Sequence, residues 1–310
     1  MNPGPPRVPP SRSGVLVVDK PAGVTSFDVV GLVRRRLGVK RVGHAGTLDP
    51  DATGVLPVLL GEATKLMPYL ADHDKAYRAV IRLGVRTDTQ DLSGRVLAEV
   101  AVPALTLETI AAAARAFVGR IQQTPPMYSA LHHEGRRLYE LAREGVEVPR
   151  AAREVVVHAI DVEEVSGTRV MLRVVCGKGT YVRTLAADLG DALGVGAAVE
   201  QLTRLRVGPF TRDDAVTWDL LEHAAGAALR ARLVPPEAAL AGWPAVCLDA
   251  ARAEVFRHGQ SVECAAVPSG LARVHEADGT LIGVGAVDAG RLRPVRILHA
   301  DRPDARVLPA

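Results

Sequence analysis

The chain has 310 residues, 48% of them hydrophobic and 24% charged, with a formal net charge of +3. That is the composition of an ordinary soluble globular protein, long enough for two domains at about 150 residues each, and no apolar run approaches the roughly 18 residues of a membrane span. Cys176, Cys247 and Cys264 stand far apart with no Cys-x-x-Cys pair, which argues against a disulfide framework or a cysteine zinc site and fits a reducing cytosol.

Residues 1–13, rich in proline and poor in large apolar side chains, read as a disordered tail. They hold no apolar core of a secretory signal. Order is expected from Gly14, with a strand over Val15–Val18. Thr25 or Ser26 can cap a helix running to about Leu37, where Val29, Val33 and Leu37 recur at helical spacing and Gly38 supplies a stop. Arg34, Arg35, Arg36, Lys40 and Arg41 follow one another with no acidic residue between them, and phosphate contact is the expected use. From Tyr77 the pattern has period two, as in a strand: Ala79, Ile81 and Leu83 face one way, Arg78, Val80 and Arg82 the other.

Thr106 to Val118 reads as an alanine-rich helix ended by Gly119, and Gln122–Met127 as a break. A basic, mixed segment follows, then strands over Val155–Ile160 and Arg169–Cys176. Thr180 is a candidate cap for a helix with Val182, Leu185, Leu189 and Leu193 on its apolar stripe and Arg183 in its first turn. Residues 233–244 look like a linker. Beyond it, short apolar runs and an Asp278-Gly279 hairpin signal suggest a small β-rich domain over 245–310.

Gly43–Leu56, GHAGTLDPDATGVL, is the most informative stretch. Pro50 biases Asp49 away from helical backbone, so its carboxylate sits on an extended loop. Gly43, Gly46 and Gly54 allow tight turns or close approach of a ligand. Polar loops of this kind tend to carry chemistry.

This stretch resembles the signature of the TruB family of pseudouridine synthases, which modify the T-arm of tRNA. Four further segments resemble that family's motifs in the same order: GVLVVDKPAGVTSFDVV at Gly14–Val30, DKAYRAVIRLGVRTDTQD at Asp74–Asp91, MYSALHHEGRRLYELAREG at Met127–Gly145 and GKGTYVRTLAADLGDALG at Gly177–Gly194. The resemblance covers most of the first 210 residues. It implies an α+β fold, a mixed and largely antiparallel sheet flanked by helices, over a catalytic domain at 14–232. An RNA-gripping insertion is expected at about 124–153. The C-terminal 245–310 loosely resembles a PUA-type RNA-binding domain, a match carried mainly by position.

The implied reaction isomerises uridine to pseudouridine at position 55, in the tRNA T-loop. It breaks the N1–C1′ bond, turns the uracil and rejoins it through C5, with no redox cofactor and no metal. By resemblance Asp49 is the catalytic carboxylate, attacking C1′ or uracil C6, and Arg183 is its ion-pair partner. A guanidinium can grip a carboxylate bidentately and keeps its own charge. Tyr77 matches the active-site tyrosine that stacks on the flipped base or handles the proton. His44 matches the histidine that contacts the extruded region, and flipping a base costs a few kcal/mol. Tyr181 and Leu202 match positions lining the uridine pocket. Lys20, with Pro21, matches a motif that supports the loop, and Asp91 matches a second acidic position. The expected partner is tRNA, at its T-arm and elbow. No membrane and no obligatory protein partner are implied, and the chain is expected to be a cytoplasmic monomer.

Other readings compete. Asp49-Pro-Asp51-Ala-Thr53 fits the D-x-D-x-T pattern of haloacid-dehalogenase-type phosphatases, but it does not follow an apolar strand. Gly177–Thr180 lacks the spacing of a phosphate loop, and His132-His133-Glu134 lacks that of a zinc helix. The basic patches would equally serve a non-catalytic RNA-binding protein, a tRNA folding chaperone or an RNA-guided relative. The Tyr128–Arg153 segment favours the stand-alone enzyme. Its alternating charges would also suit an exposed, salt-bridged helix.

Overall fold

The computed structural model describes residues 13–264 and 267–299. All but Ser13 of the tail expected at 1–13 lies outside the described residues. In chain order the strands begin with β1 (Gly14–Lys20), β2 (Val42–His44), β3 (Thr53–Leu60), β4 (Lys75–Leu83), β5 (Val85–Thr87) and β6 (Val96–Glu99). Next come β7 (Gly119–Gln123), β8 (His132–His133), β9 (Arg136–Arg137), β10 (Arg153–Ser166), β11 (Arg169–Cys176), β12 (Ala197–Val207) and β13 (Phe210–Thr211). The C-terminal strands are β14 (Ala245–Leu248), β15 (Val262–Glu263), β16 (Gly270–Glu276), β17 (Leu281–Asp288) and β18 (Arg291–Ile297).

The large sheet runs β1-β3-β12-β4-β11-β10-β7, with β2 on β3 and β13 on β12. Every pair in it is antiparallel except β3 with β12, which meet in parallel only at Thr53↔Thr203 and Gly54↔Arg204. The mixed, largely antiparallel sheet is therefore present. The single parallel contact joins its two halves. The Thr53 and Thr203 hydroxyls are hydrogen-bonded across it at 2.9 Å. Gly54 has φ +100°, and a Cβ there would meet the Arg204 carbonyl oxygen at 2.2 Å. Only glycine allows this approach.

The Ser26–Leu37 helix forms as its pattern requires. Thr25 is the N-cap, its hydroxyl accepting from Asp28 N while the Asp28 carboxylate accepts from Thr25 N at 2.8 Å. Gly38 ends it at φ 60°. Val29, Val33 and Leu37 are buried against β1 and β3. A second core lies under β4, β10, β11 and β12, covered by the Leu107–Arg115 and Val182–Ala192 helices. Tyr77 and Leu202 pack against both cores, at the seam between them.

Thr180 is not the cap of the Val182–Ala192 helix. Its hydroxyl donates to Gly177 O at 3.2 Å and is spent within the preceding turn. Tyr181 takes the cap position without a side-chain cap bond. Gln123 fixes that point instead: its amide oxygen accepts from Tyr181 N at 2.7 Å and its amide nitrogen donates to Tyr181 O at 3.1 Å.

The C-terminal strands form a separate five-stranded sheet, β14-β16-β17-β18-β15. Val284 and Leu298 join the core that includes Val15, Val55 and Leu240, so this sheet packs onto the back of the first. Residues 233–244 hold a short turn, Pro236–Leu240, whose Ala239 and Leu240 are buried in that same core. Among the described residues no helix is long and apolar enough to cross a membrane.

Candidate active site

The loop between β2 and β3 is tied down by hydrogen bonds along its length. Ala45 N donates to Pro57 O at 3.1 Å. The Ser26 hydroxyl accepts from Leu48 N at 2.9 Å and donates to Leu48 O at 3.1 Å. Asp49 O accepts from Ala52 N at 3.1 Å, and Pro50 O from Gly23 N at 3.0 Å. Ala45, Leu48 and Ala52 point inward and are buried. The loop is thus a fixed platform, and the Asp49 side chain stands on it 40% exposed.

Lys20 is fully buried at the foot of this platform. Its ammonium donates to Pro21 O, Val24 O and Pro50 O at 2.8, 2.7 and 2.8 Å. Burial pulls it down to about 8, with Asp51 and Asp49 opposing. All three donors are used on carbonyls, so this side chain braces the turn and does not reach into the cleft.

Arg183 comes to Asp49 from the other half of the sheet. Its Nε lies 2.8 Å from one carboxylate oxygen and a terminal nitrogen 3.2 Å from the other, across 134 positions of sequence. Its side chain is 6% exposed. The rest of the fork donates to Thr89 O at 2.7 Å and Tyr128 O at 2.8 Å. A bidentate grip of this kind fixes direction as well as charge. With one partner open to solvent, the pair adds little to stability, up to about 1 kcal/mol.

Asp91 stands on the far side of Arg183, at 3.7 Å. Its other oxygen accepts from the Thr89 hydroxyl and from Ser93 N and hydroxyl, closing its own turn. That turn presents the Thr89 carbonyl to Arg183.

Asp49, Asp91, Arg183 and Leu202 line one cleft of about 760 Å³. Tyr128, Arg137, Tyr139 and Arg143 of the 124–153 segment form its opposite wall. Tyr77 sits beneath the cleft at the seam of the two cores, close enough to feel the Asp49 charge. Burial pushes its phenol above the ordinary range, with the Arg204 cation opposing. Tyr77 is therefore protonated at neutral pH and poorly suited to act as a resting base. Burial likewise raises Tyr181, whose phenol is beside Ser129.

His44 makes an edge-on contact with Phe27, ring centres 5.7 Å apart. Its Nδ1 is buried without a hydrogen-bond partner among the described residues. Burial, then Arg204 and Arg137, pull its pKa to about 4, so the ring is neutral at pH 7. The unfolded chain titrates this group near 6.5. As pH falls from 6.5 towards 4, the unfolded state takes up a proton that the folded state refuses, and stability is lost. His44→Gln is expected to reduce the stability lost between pH 7 and pH 5 by about 2 kcal/mol. Urea midpoints of both proteins at the two pH values check this; equal losses would contradict it.

The basic run at the end of the first helix divides. Arg36 donates to Ala224 O and Arg41 pairs with Glu62 at 2.9 Å, so both serve the protein. Arg34, Arg35 and Lys40 are exposed. The 124–153 segment divides too. Arg136 pairs with Glu144, and Arg150 with Glu147. Arg137 lies over the Phe27 ring at 5.9 Å and faces the cleft. Its helix, Leu138–Arg143, is only one face deep, with Leu138 and Leu141 buried.

Several contributors carry no sequence signal of their own. Arg204 alternates in QLTRLRVG like a surface strand residue, yet it is 1% exposed. Gln123 reads only as part of a break. Phe27, 63% exposed at the rim of the cleft, shows its place only when His44 and Arg137 are seen around it.

Comparisons with known proteins agree along the chain. A family model described as TruB family pseudouridylate synthase (N terminal domain) matches residues 34–182. Models for a tRNA pseudouridylate synthase B C-terminal domain and for Pseudouridine synthase II TruB, C-terminal, match 183–241 and 244–298. The tRNA pseudouridine synthase B of Thiobacillus denitrificans is 47% identical over 285 residues, 92% of this chain and 95% of that protein. That of Ralstonia pickettii is 46% identical over 310 residues, covering 95% and 97%. Among solved structures, a chain of a Cbf5-Nop10-Gar1 complex superposes with a TM-score of 0.71 at 27% identity, covering 94% of this chain and 84% of that one. A chain of the archaeal box H/ACA sRNP Nop10-Cbf5 complex gives 0.72 at 25% identity, covering 95% and 89%.

Proposed function

The chain belongs to the TruB family of pseudouridylate synthases, which are isomerases, and we propose that it converts uridine to pseudouridine at position 55 in the T-loop of tRNA. The observation that carries the reading is the two-point grip of Arg183 on Asp49 at the floor of the cleft. A carboxylate held in a fixed direction, half open to a cavity, is what attack on C1′ or on uracil C6 requires. Preorganisation of this kind lowers the barrier because nothing has to reorient during the reaction.

Arg183 aims the Asp49 carboxylate. Leu202 borders the space for the uracil, and Tyr181 stands beside Ser129, which lines the same cleft. The raised phenol of Tyr77 favours stacking or proton donation over action as a base. His44, neutral and with Nδ1 unengaged, suits contact with bases left behind when the uridine is flipped out. Recognition of the folded RNA relies on shape, phosphates and splayed bases, for which Arg34, Arg35, Arg137 and Arg143 are placed.

The catalytic domain spans 14–232, with its RNA-gripping insertion at about 124–153, and 245–310 forms a PUA-like RNA-binding module. That insertion walls the cleft from within the same chain, which supports a stand-alone enzyme, monomeric and without an obligatory protein partner. A tRNA substrate supports a cytoplasmic location.

The test uses an unmodified tRNA transcript and a second transcript with the T-loop uridine replaced by cytidine. Pseudouridine is expected in the first and none in the second. Equal product from both would place the reaction at another uridine.

A further inference from the structure

Arg204 lies on β12 directly opposite Tyr77 of β4. A guanidinium keeps its charge and carries five N–H donors, so burying it demands acceptors. Its Nε donates to Val55 O at 2.8 Å, and its terminal nitrogens to Gly46 O at 3.1 Å and Thr47 O at 3.4 Å. These three carbonyls flank Asp49 on both sides. The Arg204 cation also lies close enough to the Tyr77 phenol to oppose the upward shift that burial gives it. Its backbone is locked to the same loop through Gly54. One buried cation therefore binds the loop before Asp49 and the strand after it, from the strand position paired with Tyr77.

We propose that Arg204 is a positioning residue for the isomerisation, holding the Asp49 loop and the Tyr77 phenol in fixed register with each other. The inference rests on the functional reading above. Arg183 aims the carboxylate; Arg204 sets the height and tilt of the backbone under it. Loss of this clamp frees both groups to shift by fractions of an ångström, while the RNA-facing surface is untouched.

The experiment compares Arg204→Met and Arg204→Lys with wild type, each alone and with Tyr77→Phe. It reads kcat, KM, tRNA Kd and Tm on an unmodified transcript. Arg204→Met is expected to lower kcat by about 100-fold, the scale of a misplaced reacting group, with Kd changed by less than about threefold. Arg204→Lys is expected to recover under about a tenth of wild-type kcat, because a compact ammonium does not reproduce the planar fork that spans the three carbonyls. Tyr77→Phe should cost less in Arg204→Met than in wild type, since contacting groups are not additive.

A folded Arg204→Met enzyme with wild-type kcat would overturn the proposal. So would a loss confined to Kd, or full additivity with Tyr77→Phe. If neither variant folds, Arg204 is a stability residue and the proposal fails. A wild-type protein inactive on tRNA would instead sink the functional reading.

Discussion

Asp49→Asn is expected to lower kcat on unmodified tRNA by at least about 10⁴-fold, or ~5.5 kcal/mol of transition-state stabilisation. The substitution keeps the shape and removes the charge. The loop around it is held by Ser26, Lys20, Gly23, Arg204 and backbone bonds that do not involve the carboxylate. The fold should therefore survive, and tRNA affinity should stay within about threefold of wild type. Single-turnover rates and filter binding measure the two quantities. Equal losses in rate and affinity would mean that Asp49 serves RNA binding and not the chemistry.

Arg183→Met is expected to give the second largest loss, about 10²–10³-fold in kcat, the scale of removing a preorganised electrostatic partner. It also strips donors from Thr89 O and Tyr128 O, so thermal stability should fall by about 1–3 kcal/mol. Arg183→Lys should rescue little of the rate. An ammonium is a point charge and cannot serve two carboxylate oxygens and two carbonyls in one plane. Because Arg183 also holds Tyr128, the variant should loosen the wall formed by the 124–153 segment, read as faster amide exchange there. Arg183→Lys with near wild-type kcat would show that charge alone suffices and that the two-point grip is incidental.

How far these features were legible differs by element. The Ser26–Leu37 helix was readable because its cap, stripe and glycine stop agree. β4 was readable because its alternation holds over residues 77–83. β12 was not, although it lies at the centre of the sheet. Bulges between Val199 and Gln201 and between Arg204 and Arg206 break its alternation. The same bulged course turns Arg204 inward, so a buried clamp looks like a surface residue in the sequence. β3 is a continuous apolar run buried on both faces, which has no period to read.

In the site, the carboxylate loop and Arg183 were visible as motif residues, but their meeting depends on strands that join across 134 positions. No local pattern encodes that approach. The brace of Lys20 on Pro50 O spans 30 positions and is likewise a product of the sheet, where β1 and β3 run side by side. Thr180 shows the reverse case: a residue type suited to capping spends its hydroxyl on a nearer carbonyl.

The most direct measurement incubates an unmodified tRNA transcript with wild type and with Asp49→Asn, both in EDTA, and maps pseudouridine by carbodiimide-dependent primer-extension stops. A stop at the T-loop uridine with wild type, and none with Asp49→Asn, is the result expected. No stop with wild type despite tight tRNA binding by folded protein, or the same stop with both proteins, would contradict the central claim that Asp49 drives uridine isomerisation in this cleft.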